Sequence, residues 1–233
     1  MRKGDAKRQE MLAVAERLFC LKGYEATSIQ DILDVLHVSK GGFYHHFASK
    51  DALLETLFYQ RAERALQQTE DTLAPMTDVV ARLNTAMYGF MPMRKEESAF
   101  AAMILPIMEK AEGRAMRMVY QEALISTFLP LFQREIALAQ DDGIVFPPSD
   151  DMAEIVLQLL GQSWCEMSML LIAAAKKAQK ADPAALASVL DKYRRGIERL
   201  LDAPYGSIEI LRLEEWDDIA EELSRRMMLP MQG

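Results

Sequence analysis

All three histidines of this 233-residue chain lie between positions 37 and 46. Around His37, His45 and His46 stand Thr27, Ser28, Gln30, Ser39, Lys40, Tyr44 and Lys50, a set rich in hydrogen-bond donors. Three chemistries could use such a set. Metal ligation needs a Cys or carboxylate partner at ligand spacing, and the histidines have none, so no metal is expected. Catalysis needs a nucleophile, a metal or a phosphate cradle. The chain has no G-x-S-x-G, H-E-x-x-H, phosphate loop, dinucleotide glycine pattern or C-x-x-C, and beyond position 46 it has no histidine for acid–base work. Neither catalytic residues nor a cofactor are therefore expected. Contact with double-stranded DNA needs donors for phosphate oxygens and for base edges, and the residue types fit that chemistry.

The elements that must position these side chains read as helices. Residues from about 8 to 22 place Met11, Ala15, Leu18 and Phe19 on one face, and Gly23 follows as a stop. Thr27 and Gln30 have capping-box spacing before the stripe Ile29, Ile32, Leu33 and Leu36. Ser39 is the next expected N-cap, with Val38 and Phe43 as a hydrophobic staple, and that helix is expected to end near Phe47. Ser49 then caps a longer helix starting Lys50-Asp51-Ala52-Leu53-Leu54. The pair 27–36 and 39–47, separated by His37-Val38, is a helix-turn-helix candidate.

Within it, a second helix of about nine residues would span roughly 13 Å, enough for its N-terminal half to enter a major groove. Ser39, Lys40, Gly41 and Gly42 would lie at that end, where unpaired N–H groups favour phosphate and two positions without side chains allow close approach. The glycine pair costs about 1–2 kcal/mol of helix propensity, which packing alone gives little reason to accept. Lys40 can donate to guanine or to phosphate. Tyr44, His45, His46 and Lys50 could reach a DNA strand, Thr27 and Ser28 could meet phosphate, and Gln30 could read a base. Phe43 and Phe47 are expected in the core, and Thr27 and Ser39 would cap helices in any protein.

The run Gly23-Tyr24-Glu25-Ala26-Thr27-Ser28-Ile29-Gln30-Asp31-Ile32, followed by Val38-Ser39-Lys40-Gly41-Gly42-Phe43-Tyr44-His45-His46-Phe47-Ala48-Ser49-Lys50-Asp51-Ala52-Leu53-Leu54, resembles the N-terminal domain of TetR-family regulators. The resemblance covers roughly residues 8–57. It implies phosphate contacts for Tyr44 and Lys50. Two positions depart from the family pattern: Leu36-His37 stands where a small residue and glycine are usual, and Leu33 where a small residue is common. Histidine must then take a left-handed backbone in the turn.

The rest of the chain is also read as helix, giving an all-α fold with residues 1–50 as DNA-binding domain and 51–233 as a larger effector-binding and dimerisation domain. Net charge is −8, yet residues 1–50 carry eight Lys/Arg against six Asp/Glu, leaving the acidic excess in the body. No run of about 18 uninterrupted apolar residues is present, so no membrane contact is expected. The start, with Glu10 and Glu16 in its amphipathic stretch, is unlike a signal peptide, and Cys20 and Cys165 suit buried thiols in a reducing cytoplasm.

Helices are expected over about 77–91, 96–111, 113–140, 149–180, 183–202 and 207–227, with Pro106 and Pro130 kinking or breaking theirs. The pair over about 149–202 carries more apolar surface than a hairpin needs, which suggests a four-helix bundle with a second copy, as the resemblance also implies. The chain has 16 methionines. Flexible and aromatic apolar residues, among them Phe90, Phe100, Met103, Tyr120, Trp164 and Met167, are candidates for a pocket taking a largely hydrophobic small-molecule effector, although for any single one core filling is the stronger expectation. No role is assigned to the final helix. The function expected is a ligand-responsive repressor that binds a palindromic operator as a homodimer. The alternative is a DNA-binding or adaptor protein of the same fold with no effector.

Overall fold

The first element of the chain, α1, spans Lys3–Lys22 and ends where Gly23 turns into the left-handed region at φ 87°. The computed structural model describes residues 3–92, 98–109, 113–149, 151–177, 179 and 181–211. Among these, α1 is followed by α2 (Ile29–Leu36), α3 (Lys40–Tyr44), α4 (Lys50–Leu73), α5 (Val79–Phe90), α6 (Ser98–Glu109), α7 (Gly113–Asp141), α8 (Met152–Lys176) and α9 (Pro183–Leu201). The all-α expectation holds among the described residues.

Capping chemistry sets these boundaries. Ser28, not Thr27, is the N-cap of α2: its hydroxyl accepts from the Asp31 amide, and Asp31 in return accepts from the Ser28 amide at 2.7 Å. The expected Thr27–Gln30 box thus shifts by one residue. Thr27 is fully buried and its hydroxyl donates to the Gly23 carbonyl at 2.8 Å, serving the end of α1. Ser39, Ser49, Asp78 and Asp182 cap α3, α4, α5 and α9. His37 closes α2 at φ 50°, the left-handed turn that Leu36-His37 requires.

Three further expectations change. The second helix of the turn motif is shorter than nine residues, because the chain tightens after Tyr44: the His46 amide bonds to the Phe43 carbonyl three residues back, at 2.8 Å. Of the expected kink or break, the break is ruled out: Pro130 lies inside α7 without ending it, and α6 is likewise continuous at Pro106. Residues 207–211, expected as the start of a last helix, are non-helical, and the rest of that segment lies outside the described residues. Asn84 on α5 explains the change. Its amide donates to the Ser207 carbonyl and accepts from the Glu209 amide, both at 2.9 Å, so the chain is held as a strap with Ile208, Ile210 and Leu211 buried.

One apolar core runs from Met11 on α1 to Leu211 in the strap. α4 joins its two ends: its first turns pack on α1, and its length packs on α5 and α7. At its far end Arg82 of α5 forms two hydrogen bonds to the buried Glu135 of α7, each 2.8 Å, and donates to the Leu73 and Met76 carbonyls. α8 and α9 form the expected hairpin, tied by Lys192 and Tyr193 to Glu166. By length and composition Met152–Ala174 is apolar enough to cross a membrane, but more than half of it is buried within the protein, as suits a core helix.

Candidate nucleic-acid interface

The head of the molecule is built so that α3 stands out from it. Ile32, Leu33 and Leu36 of α2 are buried, and Phe43 anchors α3 with no exposed surface. Phe47 closes the same core, 5.8 Å from Phe43 between ring centres, and Arg8 of α1 lies 5.0 Å from the Phe47 ring. The apolar side of α3 is thus fixed, which leaves Lys40, Gly41, Tyr44 and His45 on the exposed side.

Lys40 forms no ion pair or hydrogen bond with any described residue, and so presents its charge outward. Gly41 and Gly42 are needed by neither backbone nor packing. Neither has a positive φ, and a methyl group at either would meet nothing closer than 3.5 Å. Ser39 caps the helix through the Gly42 amide at 3.2 Å. Tyr44 is 47% exposed. The rings of His45 and His46 meet edge to face at 5.0 Å, with His45 exposed and His46 half-buried.

On α2, Gln30 is exposed and donates to Asp34 at 2.7 Å. Ser28 is exposed too, but its hydroxyl is shared between the cap and Asp31. Asp31 also accepts from Lys22 at 2.9 Å. The hydroxyl of Ser28, then Lys22, hold its carboxyl well below the usual carboxylate range.

Two predicted contact residues are placed differently from the rest. Thr27 offers no side-chain surface to a duplex. Lys50 is half-buried: its ammonium donates to the Tyr24 carbonyl at 2.9 Å and the Thr27 carbonyl at 3.0 Å, and sits 4.1 Å from the Tyr24 ring centre. It ties α4 to the α1–α2 turn, leaving one N–H for a phosphate. Sequence reasoning missed Tyr24 and Asp51, which complete this joint. Tyr24 donates to Asp51, and burial, then that hydrogen bond, push its phenol above the ordinary range. Their positions flanking the turn glycine and the Ser49 cap were the available signal.

The six candidate effector residues are all buried in the body. Phe100 and Tyr120 share a cluster with Phe58, at centroid separations of 6.1 and 4.9 Å from it. Phe90 belongs to another, with Phe128 and Phe132. Met103 and Met167 fill core, as does Trp164, whose indole N–H has no hydrogen-bond partner among the described residues. None of the six lines the surface crevices beside Tyr24 and Lys50, beside Asn84, beside Arg8 or beside Pro147. Among those residues no group of three His, Cys, Asp or Glu could hold a metal.

Among the described residues, α2 and α3 form a capped helix-turn-helix on α1, with the short α3 exposing Lys40 and Tyr44 and His45 following it. Residues 11–57 match the sequence profile described as bacterial regulatory proteins, tetR family. Over 48 residues the chain is 48% identical to the HTH-type transcriptional regulator YerO of Bacillus subtilis, covering 21% of this chain and 17% of that protein. Over 53 residues it is 38% identical to the HTH-type transcriptional repressor KstR2 of Mycobacterium tuberculosis, covering 23% of this chain and 26% of that one. The matched segments thus span only about a quarter or less of these relatives' lengths. The whole fold is similar to that of Salmonella enterica GusR, with a TM-score of 0.55 at 20% identity over 87% of this chain and 99% of that one. Residues 11–57 thus carry the helix-turn-helix described for the tetR family, and the helical body behind it shares the overall fold of GusR.

Proposed function

We propose that this protein is a transcriptional repressor that binds a palindromic operator as a homodimer and is released by a small, largely hydrophobic effector. In this reading residues 1–50 read DNA, and residues 51–233 dimerise and take the effector. The observation that carries the DNA half is the exposed end of α3, where Lys40 is unpaired among described residues and Gly41 and Gly42 answer to no need of the fold. Lys40 serves as base reader from α3 and Gln30 from α2. Ser28, Ser39, Tyr44, His45 and His46 serve the phosphates, with the last N–H of Lys50 beside them. Thr27 acts from the core, by holding the turn on which Ser28 sits.

Dimerisation is supported by the outer side of the α8–α9 hairpin. Ile155, Leu159 and Leu170 are only partly covered there, and Met169 is 53% exposed. A matching face on a second copy would set two α3 helices about 34 Å apart, one helical repeat of DNA. For the effector, the support is a body core rich in aromatic and methionine side chains, with the Trp164 indole as an unspent donor.

Selection from a pool of random duplexes at about 150 mM salt, where sequence-independent phosphate attraction is suppressed, tests this reading. Enrichment of an inverted repeat supports it. A folded dimer that enriches no sequence supports the adaptor alternative. With an operator in hand, lipophilic compounds that raise the melting temperature should also release the DNA. If a tight ligand left operator affinity unchanged, the effector half would be wrong.

A further inference from the structure

We propose that Arg61 of α4 is the joint through which the body sets the angle of the DNA-reading head, acting on α1 through Glu16 and on α6 through Phe100. The inference rests on the DNA-binding reading above and names a positioning residue within it. Arg61 is mostly buried, with 14% of its side chain exposed, and its guanidinium meets both Glu16 and Phe100. One edge of its guanidinium pairs with the carboxylate of Glu16, itself only 16% exposed. Its plane lies over the Phe100 ring, with the guanidinium carbon 4.0 Å from the ring centre. Arg64, one turn further along α4, reaches the second Glu16 oxygen at 3.5 Å but is half exposed, and adds little.

These three residues come from three helices with separate duties. α1 is the platform on which α2 packs, and α2 in turn supports α3. α6 belongs to the body, where Phe100 leans edge-on against Phe58 and lies 6.2 Å from Tyr120. α1 and α6 also touch directly. A shift of Phe100 therefore cannot leave the guanidinium plane in place, and a turned guanidinium takes Glu16 and α1 with it. Arginine offers a flat, permanently charged cation that stacks on an aromatic face while donating in its plane to a carboxylate. Lysine keeps the charge but not the geometry.

A double-mutant cycle on operator affinity tests the joint without any effector. Glu16→Gln and Phe100→Leu are measured singly and together, each in the wild-type background and with Arg61→Lys, using the operator recovered by selection. The joint predicts that the two changes fail to add by about five-fold or more in Kd, and that they add in the Arg61→Lys background. Melting curves of the same proteins separate this from loss of fold, and Phe100→Met replaces Phe100→Leu if the latter does not fold. A purely structural Arg61 would show the coupling in melting temperature but not in the operator affinity of the folded protein. Additive effects on Kd, in a protein that binds its operator, overturn the joint alone. A wild-type protein that selects no operator instead overturns the reading on which it rests.

Discussion

Gly41 is the residue at which the demands of folding and of function separate most cleanly. Its Cβ position is open and its backbone is ordinary helix, so alanine there should fold at least as well. Gly41→Ala is expected to raise unfolding stability by about 0.5–1 kcal/mol in urea. The added methyl would lie on the exposed side of α3, where under the proposed function it would meet DNA, and operator affinity should then fall about ten-fold. If affinity were unchanged, the close approach would be wrong. Asp31 makes a prediction of another kind. Its carboxyl is depressed in the folded protein, so it contributes stability above the ordinary aspartate range, near pH 4, and loses it as pH falls below that. Acid titration of stability should show a shallower decline for Asp31→Asn between about pH 5 and 3 than for wild type, with lower stability at neutral pH. The cap was legible as a serine–threonine cluster followed by polar residues, but the choice of Ser28 over Thr27 was not. That choice depends on α1 ending where its last carbonyls need Thr27, a tertiary fact. Lys50 shows the same limit: its position signalled a contact, and only the fold reveals that two of its three protons go to the α1–α2 turn.

Among the elements, helices with caps and periodic stripes were readable to within a residue or two, α5 and α9 at both ends and α4 at its Ser49 cap. The turn motif was readable too, including the left-handed His37. The length of α3 was not, because continuation past Tyr44 depends on how Phe47 is drawn into the core. Nor was the strap over residues 207–211, whose apolar pattern suits a helix but whose backbone is captured by Asn84. Crossings between elements are equally silent in sequence, and two of them are testable. Gly89 of α5 lies so close to Thr69 of α4 that an added methyl would overlap the threonine side chain. Gly89→Ala should therefore destabilise by about 1–3 kcal/mol despite its better helix propensity. Glu135→Gln leaves Arg82 without its anion between α5 and α7, and should cost about 3 kcal/mol. Urea unfolding checks both, and a neutral result at either would show that the crossing relaxes freely.

For the whole molecule, the acidic excess behind the net charge of −8 lies outside residues 1–50, a distribution that under the proposed function would keep DNA to the head by repulsion. Dimerisation through the α8–α9 face predicts that Met169→Asp gives a folded monomer by sedimentation, which binds operator far more weakly than wild type. A dimer that survived this change would place the interface elsewhere. The most direct test of the central claim, that α3 reads sequence through Lys40, is binding-site selection run in parallel on wild type and Lys40→Ala. The account predicts an inverted repeat for the wild type. For the variant it predicts the same repeat with relaxed preference at one position in each half-site, a loss of about 1–3 kcal/mol of discrimination there. An unchanged preference, with affinity lowered equally for every sequence, would contradict base reading by Lys40 and leave it a phosphate contact.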